Sequence, residues 1–207
     1  NNDAARIATG SILLLINDDV EARSPGWLHE MVWHATRREI GPVGARLLYP
    51  DGTIQHAGIV TGLFGMVGHI QRGARAERPA WMAERPRTVS AVTAAVLAIR
   101  RDLYRELDGL DEQLAVAFND VDFCLRAERA GYRTLYTPGA TLVHHESRTR
   151  GRDDTVEKRA RFQRETDLLR TRWGQRLLDD PHYSPNLSLW SERARLAWPP
   201  RVARLWE

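Results

Sequence analysis

The sequence predicts an α/β fold, and three observations carry that prediction. Short β-capable runs alternate with helical periods along the chain, the pattern of a sheet flanked by helices. The first run, residues 11–16 (SILLLI), is almost wholly apolar and stops abruptly at Asn17-Asp18-Asp19, the habit of an interior strand buried on both faces, as in parallel sheets. Beyond it, Trp27, Leu28, Met31, Val32 and Ala35 fall at spacings of three and four, which is one stripe of an amphipathic helix.

The remaining elements follow in order. Ser24-Pro25 supplies a helix start with proline in the first turn. Residues 43–49 are β-like and lead through Pro50-Asp51-Gly52, whose fixed and permissive backbones make a tight turn, into 53–60, giving a hairpin. Gly62, Gly65, Gly68 and Gly73, with Arg72, Arg75 and Arg78, mark 61–86 as a mobile excursion. Residues 88–99 return to the sheet and end at Arg100-Arg101, followed by a short helix through Glu106. A turn at 108–112 precedes a helix opened by Asn119 or Asp120 as cap and closed by Gly131. Residues 132–136 form a strand, Pro138-Gly139 a turn and 141–145 a last short strand. A charged helix over about 153–173 leads into a Pro-punctuated, Trp-containing tail.

Composition bounds the function. A length of 207 residues, 43% hydrophobic and 28% charged, is about one domain's worth of a globular chain. The lone cysteine, Cys124, excludes a disulfide framework and a multi-cysteine zinc site, so any metal is held by oxygen and imidazole. The longest aliphatic run, residues 12–16, is far short of a membrane span, and Asn1-Asn2-Asp3 has no signal character. No membrane span, no export tag and a cytoplasmic location are therefore expected. Residues 1–150 are charge-neutral, and 151–207 carry the whole net charge of +3, too little and too mixed for a nucleic-acid surface.

Four groups of residues could carry chemistry. Asn17-Asp18-Asp19 lies beyond the carboxyl end of a strand, where open α/β sheets bind ligands, and carboxylates there suit Mg²⁺ or Mn²⁺; a metal-free Asx turn explains the same residues equally well. His144-His145 closes a late strand, and because adjacent strand residues face opposite ways only one of the two can join Asp19. Asn119-Asp120-Val121-Asp122 opens a helix; capping accounts for Asn119 and Asp122, whereas Asp120 could act as a general base if burial opposes the acidifying helix terminus. Arg148, Arg150 and Arg152 around Gly151 form a basic segment able to neutralise a diphosphate, or a solvated loop.

The order of these pieces carries more than any one alone. The strand ending Asn17-Asp18-Asp19-Val20 is followed by Pro25-Gly26-Trp27-Leu28 and by Leu47-Leu48-Tyr49-Pro50-Asp51-Gly52-Thr53-Ile54-Gln55-His56-Ala57-Gly58. Then come 92–101, Gly109-Leu110-Asp111-Glu112, Phe118-Asn119-Asp120-Val121-Asp122, Ala130-Gly131-Tyr132 and His144-His145-Glu146-Ser147. Over about residues 1–190 this resembles the family 2 glycosyltransferases of the GT-A fold. The resemblance implies a Rossmann-related mixed sheet flanked by helices, and an inverting transfer from a nucleotide-sugar donor to a hydroxyl of a glycan or glycolipid acceptor. It implies Asn17 and Asp18 as donor contacts with Arg148, Asp19 and His144 (His145 as fallback) as ligands of Mn²⁺ or Mg²⁺, and Asp120 as the base. Ala94 stands where the family has a glycine in the acceptor-side strand.

Two further expectations follow from the resemblance. In the family a strand-helix-strand unit precedes the acidic turn, but ten residues precede Ser11, so the chain is expected to be truncated at the N-terminal nucleotide-binding half, inactive alone, with the strand at 11–16 lacking a neighbour. Residues 1–150 would be the partial catalytic domain and 151–207 a basic helical extension; peripheral membrane association and self-association are compatible with this. Metal-dependent nucleotidyl or phosphoryl transfer and a non-catalytic scaffold are the competing functions.

Overall fold

A computed structural model describes residues 1–75, 81–146 and 155–202. In chain order the elements are α1 (Asn2–Ile7), β1 (Ile12–Ile16), β2 (Val20–Ala22), α2 (Trp27–Ala35), β3 (Ile40–Leu48), β4 (Ile54–His56), β5 (Ile59–Thr61), β6 (Val67–His69), β7 (Arg87–Val89), β8 (Val96–Arg100), α3 (Arg101–Glu106), α4 (Asn119–Arg129), β9 (Arg133–His144) and α5 (Val156–Trp173). Among the described residues seven strands form one mixed sheet in the order β1-β8-β3-β9-β2, with β4 added to β3 and β7 to β9, while β5 and β6 pair separately. Among the described residues only the β3–β9 pairing is parallel.

The expected α/β class is present, and the alternation of β1 shows how it is held together. Leu13 and Leu15 join a core shared with Leu103 of α3, Phe123 and Leu125 of α4 and Leu169 of α5. Ile12 and Leu14 face the other way, onto the cluster built on Met31 and Ala35 of α2. The apolar run therefore reports helices on both faces, not a strand on both edges. β1 is not an interior strand of a parallel sheet: it runs antiparallel to β8 and, among the described residues, has a strand neighbour on one side only.

Other differences have local causes. The expected excursion at 61–86 is ordered in its first part: β5 and β6 pair antiparallel, and Leu63 and Ile70 are fully buried. Its glycines supply left-handed turns, at φ +87° for Gly62 and +69° for Gly73, which is geometry and not looseness; residues 76–80 lie outside the described set. Residues 88–99 divide into β7 and β8, and the connection between them crosses β3 where Gly44 sits. A side-chain carbon on Gly44 would lie 2.4 Å from Val92, so glycine is what lets 90–95 lie flat on the sheet. The expected turn at Pro138-Gly139 is a register shift within the continuous β9.

The C-terminal part is packed onto the same core. Trp173, Leu177, Tyr183 and Leu187 are buried in the cluster that holds α4, and Asp180 accepts the backbone N–H of Thr61 at 2.8 Å. Among the described residues no helix is long and apolar enough to cross a membrane.

Candidate active site

The site begins where β1 ends. The N–H of Asn17 donates to the carbonyl of Ala95 at 3.0 Å, and the carbonyl of Asp19 accepts the N–H of His145 at 2.9 Å. Because Val20 pairs with His144 across β2 and β9, the acidic turn and the late histidine are brought together by sheet register. His144 Nε2 lies 3.1 Å from Asp19 Oδ1, both side chains being 12% exposed, and 3.3 Å from Asn17 Nδ2. His145 points the other way, towards Glu21 at 3.6 Å, as strand alternation requires. Asp18 is exposed in the turn. Arg148, Arg150 and Arg152 lie outside the described residues.

His144 Nδ1 is 2.7 Å from the amide oxygen of Gln55, so Nδ1 carries the proton, and the Nε2 of a neutral ring presents a lone pair. Asp19 Oδ1 is buried and makes no hydrogen bond. In the neutral ring two lone pairs face each other at 3.1 Å, an arrangement that either a proton on Nε2 or a shared metal cation relieves; ligands about 2.1 Å from one octahedral ion sit about 3 Å apart. Among the described residues no three His, Cys, Asp or Glu side chains cluster in a metal-holding group. Two protein donors with the remaining positions left to water and phosphate oxygens is a usual arrangement for Mg²⁺, and the imidazole suits Mn²⁺. The residues therefore fit the cation that the sequence implies.

Asp120 bonds the chain one residue away from the Ala95 carbonyl that receives Asn17. The expected cap is not formed by Asn119 or Asp120: Phe118, at φ +64°, holds the N-cap position and makes no side-chain cap bond, and Asn119 is already helical. Asp120 Oδ2 instead accepts the N–H of Ala94 at 3.1 Å, and Oδ1 that of Val121 at 2.8 Å. Burial pushes its carboxyl above the ordinary aspartate range, against the opposing bonds from Ala94, Val121 and Thr93. The chain at Ala94-Ala95 is thus the shared wall: Ala94 holds Asp120 and Ala95 holds Asn17. The structure brings Asn17, Asp19 and His144 together and ties Asp120 to Asn17 through this two-residue segment.

Two residues of consequence were not assigned such roles from sequence. Asp122, expected as a capping residue, is fully buried and accepts from Arg126, Arg172 and Trp173. Gln55 is 5% exposed, and a polar side chain within the apolar hairpin strand was the available signal. Beneath it, His56 accepts the N–H of Gly58 on Nε2 and so donates from Nδ1 to His69 Nδ1 at 3.0 Å. Burial keeps both rings neutral, holding His56 well below the ordinary range and His69 down to about 4.

Known proteins are similar to this chain in sequence and in fold. The chain is 48% identical to an uncharacterized protein (y4gI) of Sinorhizobium fredii over 91% of its own length and 21% of the relative's. It is 38% identical to the O-antigen biosynthesis protein RfbC of Myxococcus xanthus over 91% of its length and 15% of the relative's. An N-acetylglucosaminyl-diphospho-decaprenol L-rhamnosyltransferase of Mycobacterium tuberculosis is 28% identical over 68% of this chain and 49% of that protein. The chain therefore spans about a fifth or less of the first two relatives. Among solved structures, GalNAc-T7 with UDP, GalNAc and Mn2+ superposes with a TM-score of 0.55 at 14% identity, over 74% of this chain and 31% of that one. The mannosyltransferase PcManGT of Pyrobaculum calidifontis with GDP-Man and Mn2+ gives 0.50 at 17%, over 82% and 42%. The fold is that of the GT-A glycosyltransferases. The sequence model described as glycosyltransferase-like family 2 matches residues 2–174, and the chain belongs to that family.

Proposed function

We propose that this chain forms the catalytic part of an inverting, metal-dependent glycosyltransferase acting in the cytoplasm, which moves a sugar from a nucleotide-sugar to a hydroxyl of a glycan or glycolipid acceptor. The observation that carries the reading is the buried Asp19 Oδ1, without a hydrogen bond, facing His144 Nε2 at 3.1 Å, beside the Ala94-Ala95 segment that holds Asn17 and Asp120. Relatives named for O-antigen biosynthesis and rhamnosyl transfer support a surface-glycan acceptor.

In this reading Asp19 and His144 hold Mn²⁺ or Mg²⁺, which when bound neutralises charge on the diphosphate as a Lewis acid and template. Asn17 and Asp18 face the donor at the strand end, and Arg148 adds positive charge to the leaving group. Asp120 takes the proton from the acceptor hydroxyl as its oxygen bonds to the anomeric carbon and the bond to the diphosphate breaks. Base and leaving group work from opposite sides of the sugar, so configuration inverts. Burial suits Asp120 to this role, because a carboxylate held above its ordinary range is a stronger base.

The test is product analysis on the full-length protein with Mn²⁺ and a panel of nucleotide-sugars. The expected result is nucleoside diphosphate release with sugar transferred to acceptor or slowly to water, reduced about 100-fold or more in Asp19→Ala, since the cation's contribution is several kcal/mol. Pyrophosphate release would instead indicate nucleotidyl transfer, and an unaffected Asp19→Ala would indicate a scaffold.

A further inference from the structure

We infer that Gln55 is the positioning residue that locks the His144 ring with its Nε2 lone pair aimed at Asp19. This deepens the proposed function, since it rests on His144 being a ligand, but its geometry stands by itself. The Gln55 amide can present either oxygen or nitrogen to an imidazole, and its other contacts decide which. Its nitrogen lies 3.4 Å from the carbonyl of His144 and 3.3 Å from Glu146 Oε2. Both of these groups accept and neither donates. The nitrogen must face them, which leaves the oxygen for His144 Nδ1 at 2.7 Å. An amide oxygen only accepts, so the neutral ring carries its proton on Nδ1 and cannot carry it on Nε2.

The clamp is itself clamped. Gln55 is almost fully buried, its backbone bonds His69, and it sits on β4, which is paired with β3. Glu146 lies 3.9 Å from Arg72, whose Nε donates to Tyr49 Oη at 2.9 Å, so the far side of the amide meets a group fixed in turn by the β3–β4 turn. A ligating histidine depends on such an outer partner for ring orientation and tautomer, and loss of that partner typically costs about 10- to 100-fold in metal affinity. Gln55 touches no reacting atom in this account; it acts only through His144.

The test uses two readouts on the wild-type chain, Gln55→Leu and Gln55→Glu. Without metal, imidazole nitrogen NMR well above the ordinary histidine range, with His144 assigned by its loss in His144→Gln, should show a pure Nδ1–H ring in wild type. Gln55→Leu should give a tautomer mixture, and Gln55→Glu, which keeps an oxygen acceptor, should restore Nδ1–H. With Mn²⁺ alone, paramagnetic broadening of His144 should need about 10- to 100-fold more metal in Gln55→Leu than in wild type; Gln55→Glu serves the tautomer readout alone, because its second oxygen faces the acceptors Glu146 and the His144 carbonyl. A pure Nδ1–H ring and unchanged Mn²⁺ response in Gln55→Leu would overturn the inference. A tautomer change in Gln55→Leu with no Mn²⁺ response even in wild type would uphold Gln55's hold on the ring and overturn the metal reading.

Discussion

Asp120→Asn is expected to lower the rate of sugar transfer by about 10²- to 10⁴-fold, the range spanned by a positioned general base, while leaving Mn²⁺ binding at Asp19 and His144 unchanged. The asparagine oxygen can still accept the Ala94 N–H that Asp120 Oδ2 now receives, which keeps the tie between the helix and the Ala94-Ala95 segment; what is lost is the group that takes the proton, together with the acceptor for the Val121 N–H. The pH dependence gives the same claim a sign. Burial raises the Asp120 carboxyl above its ordinary value of 3.8, and only its ionised form is a base. Transfer should therefore fall as pH is lowered through that raised value, at a higher pH than an ordinary aspartate would set, and the residual rate of Asp120→Asn should lack this limb. Steady-state rates across pH check both; a variant within a few-fold of wild type would remove Asp120 from the chemistry.

The second large effect is on stability. Asp122 is fully buried and its two oxygens gather three donors: Arg172 Nη1 at 2.8 Å, Trp173 Nε1 at 2.9 Å and Arg126 Nε at 2.8 Å. The arginines are held elsewhere too, Arg126 by the carbonyls of Leu107 and Gly109 and Arg172 by Asp111 at 2.7 Å. This one carboxylate joins α4 to the end of α5 and to the turn after α3. Removing one partner of a buried ion pair costs about 3–5 kcal/mol. The arginines are 22% and 26% exposed, so water screens part of that loss, and about 3 kcal/mol is expected for Asp122→Ala. Against a typical total of about 5–15 kcal/mol, that is a large fraction. Urea unfolding should show a clearly lowered midpoint, with a smaller shift for Asp122→Asn, which keeps an acceptor. A loss under about 1 kcal/mol would show that the two helices are joined by their apolar contacts alone.

What the sequence made legible was whatever depends on local pattern. The period of α2, the turn at 50–52 and the stop after residue 16 each follow from neighbouring residue types, and the structure has all three. Sheet position was not legible, because the apolar faces of β1 reflect the helices that cover them, and covering a face says nothing about how many strand neighbours an edge has. Glycine spacing at 62–73 signals turns but does not separate them from mobility, since a left-handed φ and a flexible chain use the same residue. At the site, the pairing of His144 with Asp19 follows from β2–β9 register, which alternation restricted to one of two histidines and which long-range pairing then decided. Local pattern makes Asp122 a cap and Gln55 part of a hairpin, because the partners that define them lie 50 residues away for Arg172 and 89 for His144, beyond the reach of any local window.

The central claim is that Asp19, His144 and Asp120 serve one cavity. Crystals soaked with Mn²⁺ and a nucleoside diphosphate, with diffraction recorded at the manganese edge, test it most directly. The expected result is an anomalous peak bonded to the Asp19 carboxylate and His144 Nε2, with diphosphate oxygens on the same ion and Asp120 across the space where the sugar would sit. Manganese bound through other side chains, or an Asp120 carboxylate opening onto a different surface, would contradict it.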